Sequence, residues 1–93
     1  MKKPNHIESA LRTLDIESKA LTKLAENLDN NFSKLCDEIL STKGKIITMG
    51  VGKSGHIAQK ISATLSSTGS PSYFIHATEA LHGDIGVISK NDC

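Results

Sequence analysis

Along the first part of the chain, apolar residues recur with a helical period. Ile7, Leu14, Leu21, Leu28 and Leu35 stand seven apart. Leu11, Ala25, Phe32 and Ile39 form a second row four positions after members of the first, with Ser18 as its polar gap. Spacings of three, four and seven place both rows on one face of a helix. The Asp29-Asn30-Asn31 cluster interrupts the stretch, because these side chains compete for backbone hydrogen bonds and cap helices well. The pattern predicts one helix over about 6–28 and a second over about 31–42. The stripe is expected to do two things: to cover part of the chain's own sheet, and to form a seam with another helix or subunit.

After Gly44 the period changes. Lys45-Ile46-Ile47-Thr48-Met49 is nearly continuous in its apolar character and ends at Gly50, as a short buried strand of a parallel sheet does. Ile57 to Leu65 reads as a helix, closed by Gly69, which suits a left-handed cap, and by Pro71, which cannot continue a helix. Ser72-Tyr73-Phe74-Ile75 is the next strand. Thr78 to Leu81 reads as a helical turn, and Ile85 to Ile88 as a short apolar run. The order helix, helix, strand, helix, strand is the opening of a parallel α/β sheet with a right-handed crossover. Residues 1–44 are read as an N-terminal helical segment and residues 45–93 as a first β-α-β part.

Composition sharpens the division. Residues 1–44 carry seven positive and seven negative side chains and one glycine; residues 45–93 carry four positive, three negative and six glycines. At 93 residues and 11 basic against 10 acidic side chains, the chain is one domain at most and lacks the basic excess of a non-specific nucleic-acid binder. No apolar run approaches the ~18 residues of a membrane span. Met1-Lys2-Lys3-Pro4 has no apolar stretch behind its lysines, so it does not read as a secretory signal. Two distant cysteines, Cys36 and Cys93, form no motif, which fits a reducing, cytoplasmic setting.

The chemistry-bearing segment is Gly50-Val51-Gly52-Lys53-Ser54-Gly55-His56, between a strand and a helix. Glycines let a ligand approach the backbone, and a helix start offers unpaired amides to an anion such as phosphate. Ser54 adds a hydroxyl donor. A P-loop is excluded, since the required first glycine falls at Ile47. The dinucleotide pattern G-x-G-x-x-G is met at Gly50, Gly52 and Gly55, but no acidic residue follows about 20 positions on, at the end of the next strand. Lys53 stands where a helix dipole favours a neutral amine. It serves there as an acid–base group or a phosphate partner, or else it is a solvated charge.

Histidines form a second group. His56 follows the loop, His76 ends the second strand, and His82 lies in Glu79-Ala80-Leu81-His82-Gly83-Asp84. The carboxyl ends of parallel strands are where α/β proteins bind ligands, which puts His76 near Lys53. Imidazole suits zinc, but one pair of histidines is half a site and the spacing fits no closed zinc centre.

Three segments then resemble a known family. Met49 to His56, Ser67-Thr68-Gly69-Ser70-Pro71, and His76-Ala77-Thr78-Glu79-Ala80-Leu81-His82-Gly83-Asp84 are similar in order and type to arabinose-5-phosphate isomerases, and more broadly to the sugar isomerase (SIS) domain. Ala77 departs from the proline common there. The resemblance implies a Rossmann-like parallel sheet behind two N-terminal helices. It implies interconversion of ribulose 5-phosphate and arabinose 5-phosphate through an enediol, on the route to the Kdo sugar of lipopolysaccharide or capsule. It matches Lys53 to a catalytic lysine, Ser54, Gly69, Ser70, His76 and His82 to substrate contacts, and His76 also to a metal-linked position. No cofactor is required, with zinc at His76 as an option. The partners implied are a sugar phosphate and, through the N-terminal helices, another SIS subunit or a homo-oligomer. The family's Ser-x-Ser-Gly phosphate loop, its later glutamate and histidine and its CBS domains are not among these residues. The resemblance therefore implies an N-terminal portion, an incomplete domain without the family's full activity.

Overall fold

The computed structural model describes residues 3–93. They form two compact units, divided between Ser33 and Lys34.

The first unit holds helix α1 (His6–Asn27) and the start of α2 (Asn30–Ser41). Asn5 caps α1: its side-chain oxygen accepts the Glu8 amide at 3.0 Å, and Glu8 places a negative charge in the positive first turn. Asp29 starts α2 in the same way, accepting the Asn31 amide at 2.9 Å. The expected break at Asp29-Asn30-Asn31 is thus a cap, and the helices end within a residue of their predicted bounds. No residue of either helix is buried; Ile7, Leu14, Leu21, Leu28 and Leu35 all remain more than half exposed. Of the two rows, only Ile39, late in α2, is as much as half-buried, so the expected covering of the chain's own sheet by the stripe is not seen.

The second unit is built on a β-α-β run: β1 (Ile46–Gly50), α3 (Gly52–Ser67) and β2 (Ser72–His76). The strands are parallel and in register from Ile46 opposite Ser72 to Gly50 opposite His76. A single helical turn, α4 (Ala77–Ala80), follows β2 directly, and a 3-10 turn spans Asp84–Val87, where the sequence suggested only an apolar run. Among the described residues no helix is long and apolar enough to cross a membrane.

Alternation along the strands decides which face meets α3. Ser72, Phe74 and His76 share a face of β2, as Ile46, Thr48 and Gly50 do on β1. This face packs on α3, whose buried residues are Gly55, Ala58 and Ser62. Thr48 Oγ1 donates to the Ala58 carbonyl at 2.9 Å, and Ser72 Oγ lies 2.8 Å from both the Ile46 carbonyl and Ser62 Oγ. Two hydroxyls supply the two protons that arrangement needs, so the buried Ser62 is satisfied. Small and hydroxylic side chains let the helix approach closely. The apolar core is correspondingly thin: Ile46, Ala58, Ile75 and Ala80, with Ile75 only 1% exposed.

The last residues pair with the free edge of β1. The Cys93 amide donates to the Lys45 carbonyl at 2.9 Å, and its carbonyl accepts the Ile47 amide at 2.6 Å. Asp92 locks this contact. Its carboxylate accepts the Lys45 amide at 2.7 Å and the Ser89 amide at 2.8 Å, and the Lys45 ammonium lies 3.2 Å away. With its side chain 1% exposed and held first by the Ser89 amide and then by the Lys45 amide, the carboxyl is lowered to about 2. Gly44 makes room for the segment: a β-carbon there would lie 2.7 Å from the Asn91 carbonyl oxygen.

Candidate functional site

The loop between β1 and α3 is shorter than the sequence suggested. The helix begins at Gly52 instead of near Ile57, so Lys53 and Ser54 are first-turn residues. Gly52 enters it at φ +56°, a conformation that favours glycine. The Gly55 amide then donates to the Val51 carbonyl at 3.0 Å, closing the first turn. The N-cap is Val51, whose side chain has nothing to cap with. Here α3 differs from α1 and α2, which Asn5 and Asp29 cap. The amides of Gly52, Lys53 and Ser54 precede the first intrahelical bond and face the positive end of the dipole.

Ser54 departs from expectation in one respect. Its hydroxyl donates to the Val51 carbonyl at 2.8 Å, so its proton is engaged within the turn and its lone pairs face outward bonding. Lys53 is exposed at the second position of α3.

His76 reaches the same place from β2. It pairs in register with Gly50, the residue that opens the loop. On the α3 face, Ser72 meets Ser62 late in the helix, and Phe74 reaches within 3.8 Å of a β-carbon built on Gly55 near its start. The next residue on that face, His76, therefore lies at the first turn of α3. Its ring stands edge-on to Phe74, with centroids 6.3 Å apart and planes at 84°. Its Nδ1 accepts the Thr78 amide at 3.3 Å, so the imidazole caps α4. His82 follows in the turn after α4, exposed, its amide donating to the Glu79 carbonyl at 2.9 Å. Lys53, Ser54 and His76 thus share the carboxyl edge of the two strands, and His82 follows one turn later, after α4.

Gly69 and Ser70 do not join them within the chain. They end α3 and precede β2, at the amino edge of the sheet. The 16 residues of α3 put roughly 24 Å between the two ends. The reason is local: Gly69 sits at φ +103°, its amide bonds the Ser66 carbonyl at 3.4 Å, and the Ser70 amide bonds the Leu65 carbonyl at 2.9 Å. That bond pattern is a Schellman cap, which satisfies the last carbonyls of the helix.

Among the described residues no three His, Cys, Asp or Glu side chains cluster as a metal site. A hollow of about 530 Å³ lies at the start of α1, lined by Pro4, Asn5, Glu8, Ser9 and Arg12. It is shallow, walled by the first turns of one helix, and contains none of the residues above. Sequence reasoning missed Thr78, whose amide fixes the His76 ring, and Asp92, whose partners lie far back along the chain. Neither carried a local signal: the first acts through its backbone amide, and the second through partners distant in sequence.

Known proteins resemble the chain in sequence and in fold. Residues 39–93 match the SIS domain. The arabinose 5-phosphate isomerase KdsD of Pseudomonas aeruginosa is 48% identical over 86 residues, which are 92% of this chain and 26% of that protein. The arabinose 5-phosphate isomerase GutQ of Escherichia coli is 44% identical over 86 residues, 92% of this chain and 27% of its own length. The chain thus spans about a quarter of the length of the curated relatives it matches. Among solved structures, c3406 of E. coli CFT073 in complex with arabinose 5-phosphate superposes with a TM-score of 0.90 at 40% identity, covering 99% of this chain and 49% of that one. Since the matched segment takes in β1, the uncapped start of α3 and the His76 edge, the chain belongs to the SIS-domain family.

Proposed function

We propose that the chain carries the sugar-phosphate-binding opening of an arabinose 5-phosphate isomerase, and that by itself it binds the sugar phosphate without turning it over. The observation that carries this reading is the likeness to c3406, which extends over 99% of this chain and whose structure holds arabinose 5-phosphate. The first turn of α3 is suited to such a ligand. Uncapped amides and the Lys53 ammonium attract a phosphate, and His76 and His82 offer imidazoles to a polar carbohydrate. In a complete site, Lys53 pairs with the phosphate or moves a proton between adjacent carbons of the enediol. Isomerisation needs a base and an acid placed together on the sugar, and two strands supply only part of the edge that would hold them. No cofactor enters this reading, and two free thiols, Cys36 and Cys93, fit the reducing cytoplasm.

Calorimetric titration of the 93-residue chain with arabinose 5-phosphate and ribulose 5-phosphate tests the proposal. Binding at millimolar concentrations is expected, weakened about tenfold in Lys53→Ala, with no isomerisation in a coupled assay. Silence toward both sugars removes the binding claim. Turnover that vanishes in Lys53→Ala removes the claim of inactivity.

A second reading is favoured by a different observation. The apolar stripe of α1 and α2 stays exposed, from Ile7 to Leu35. Such a surface suits a non-catalytic module that pairs with another SIS subunit or a second copy of this chain. Size-exclusion chromatography with light scattering reads this directly: a dimer or larger species supports it, and a stable monomer counts against it.

A further inference from the structure

We infer that the outer edge of β1 accepts a further strand, parallel to β1, and that this strand comes from a separate polypeptide carrying the part of an SIS domain that lies beyond the segment matched here. The strand-accepting edge rests on backbone geometry alone. The activity of the resulting pair rests on the sugar-phosphate reading above.

A two-stranded sheet has two outer edges, and the chain treats them differently. Backbone amides along a strand point alternately to either side. The Ile46 amide turns to β2, where it donates to the Pro71 carbonyl at 2.8 Å, and the Ile47 amide turns the other way, to the Cys93 carbonyl. On β2, Ser72 directs its amide and carbonyl to the outer side, and Ser66 occupies both. The Ser66 hydroxyl accepts the amide and donates to the carbonyl, each at 3.1 Å. A side chain thus closes the start of that edge, and closing an edge keeps it from pairing with another strand.

The outer edge of β1 has the opposite character. Asp92 accepts the Lys45 amide, while Cys93 donates to the Lys45 carbonyl and accepts the Ile47 amide. One residue bonded to both neighbours of Ile46 is the pattern of a parallel pair. Cys93 therefore already lies in the lane beside β1, in register and running in its direction. The next groups in that lane are the Ile47 carbonyl and the Met49 amide and carbonyl, which have no backbone partner outside the β1–β2 ladder among the described residues. Met49 and Val51 stand exposed beside them, and Lys45, the lysine at the start of the edge, is engaged by Asp92. An apolar edge with its register and direction already set suits strand addition, in which main-chain bonds give the affinity. The SIS partner fits by length and by direction. The chain aligns with 49% of c3406, so a domain of that kind has as much chain again to supply strands. A strand parallel to β1 also ends beside Gly50, on the carboxyl edge that carries Lys53.

The test co-expresses the tagged 93-residue chain with the half of c3406 beyond the matched segment and follows amide hydrogen exchange by NMR. In the chain alone, the Thr48 amide, turned to β2, should be protected and the Met49 amide should exchange fast. The two polypeptides should purify together in equal amounts, with Met49 exchange slowed about a hundredfold and the Phe74 amide, on the outer edge of β2, unchanged. Failure to co-purify, protection at Phe74 in place of Met49, or a Met49 amide already slow in the chain alone overturns the inference. Met49→Pro removes the outward N–H and none of the bonds to β2, so it should weaken the pair about tenfold while Thr48 stays protected. Undiminished association of that variant also overturns the inference, and the wild-type exchange pattern decides the matter if the variant loses its fold. Isomerisation of arabinose 5-phosphate by the pair, absent from either half alone, supports the isomerase reading. A protected Met49 without turnover upholds the strand-accepting edge and counts against that reading.

Discussion

The backbones of Gly50 and Gly55 meet. A β-carbon on Gly55 would lie 3.1 Å from the Gly50 carbonyl oxygen, and one on Gly50 would lie 3.0 Å from the Gly55 α-carbon. This contact joins the end of β1 to the first turn of α3 and sets the position of the uncapped amides and Lys53. Neither neighbour is a flexible side chain, so an added methyl group moves backbone.

Gly55→Ala is therefore expected to destabilise the β-α-β unit by about 1–3 kcal/mol, the usual range for overpacking a close contact. Thermal or urea unfolding followed by circular dichroism measures it. Ala is the better helix former, so an unchanged or raised stability would show that propensity outweighs the contact and that the approach of Gly50 and Gly55 is not tight.

Asp92 makes the docking of the C-terminal residues depend on pH. Its carboxyl is lowered from 3.8 to about 2 by the Ser89 and Lys45 amides and, more weakly, the Lys45 ammonium. A depressed carboxyl pKa stabilises the fold fully above the unfolded value of 3.8. That contribution fades as pH falls from about 4 through about 2. The Lys45 and Ser89 amide signals should shift over that window in NMR spectra. In Asp92→Asn they should not, and the backbone pairing of Cys93 with Lys45 and Ile47 should loosen at neutral pH. Identical acid titrations in the two proteins would contradict this role.

In the first unit, Asn5 holds the start of α1 through the Glu8 amide. Replacing it with alanine should cost that helix about 1 kcal/mol. Hydrogen exchange at Glu8 and Ser9 should accelerate, with exchange in β1 and β2 unchanged. Unaltered protection at Glu8 would mean that the cap contributes nothing.

Much of this was legible in the residues. The seven-residue rows gave α1 and α2, because helical periodicity survives even where no partner buries the stripe. Asp29 and Gly69 marked helix ends by chemistry that acts over a few residues. The start of α3 was less legible: Gly52, Ser54 and Gly55 look like loop residues. They are helical because Gly55 must lie against Gly50, a tertiary contact that overrides local propensity. Gly69 and Ser70 were grouped with Lys53 by resemblance, but a helix length separates them within the chain. The linkage of Asp92 to Lys45, 47 residues apart, is written in no local pattern. The orientation of the His76 ring depends on a backbone amide two residues on, which any residue but proline would supply.

The most direct test of the central claim is an amide-resolved NMR titration of the 93-residue chain with arabinose 5-phosphate. The account predicts that the largest shifts fall on Gly52, Lys53, Ser54 and Gly55 and on the His76 ring, that Gly69 and Ser70 barely move, and that the response weakens strongly in Lys53→Ala. Shifts centred on Gly69 and Ser70 or on α1, with the start of α3 unmoved, would contradict it.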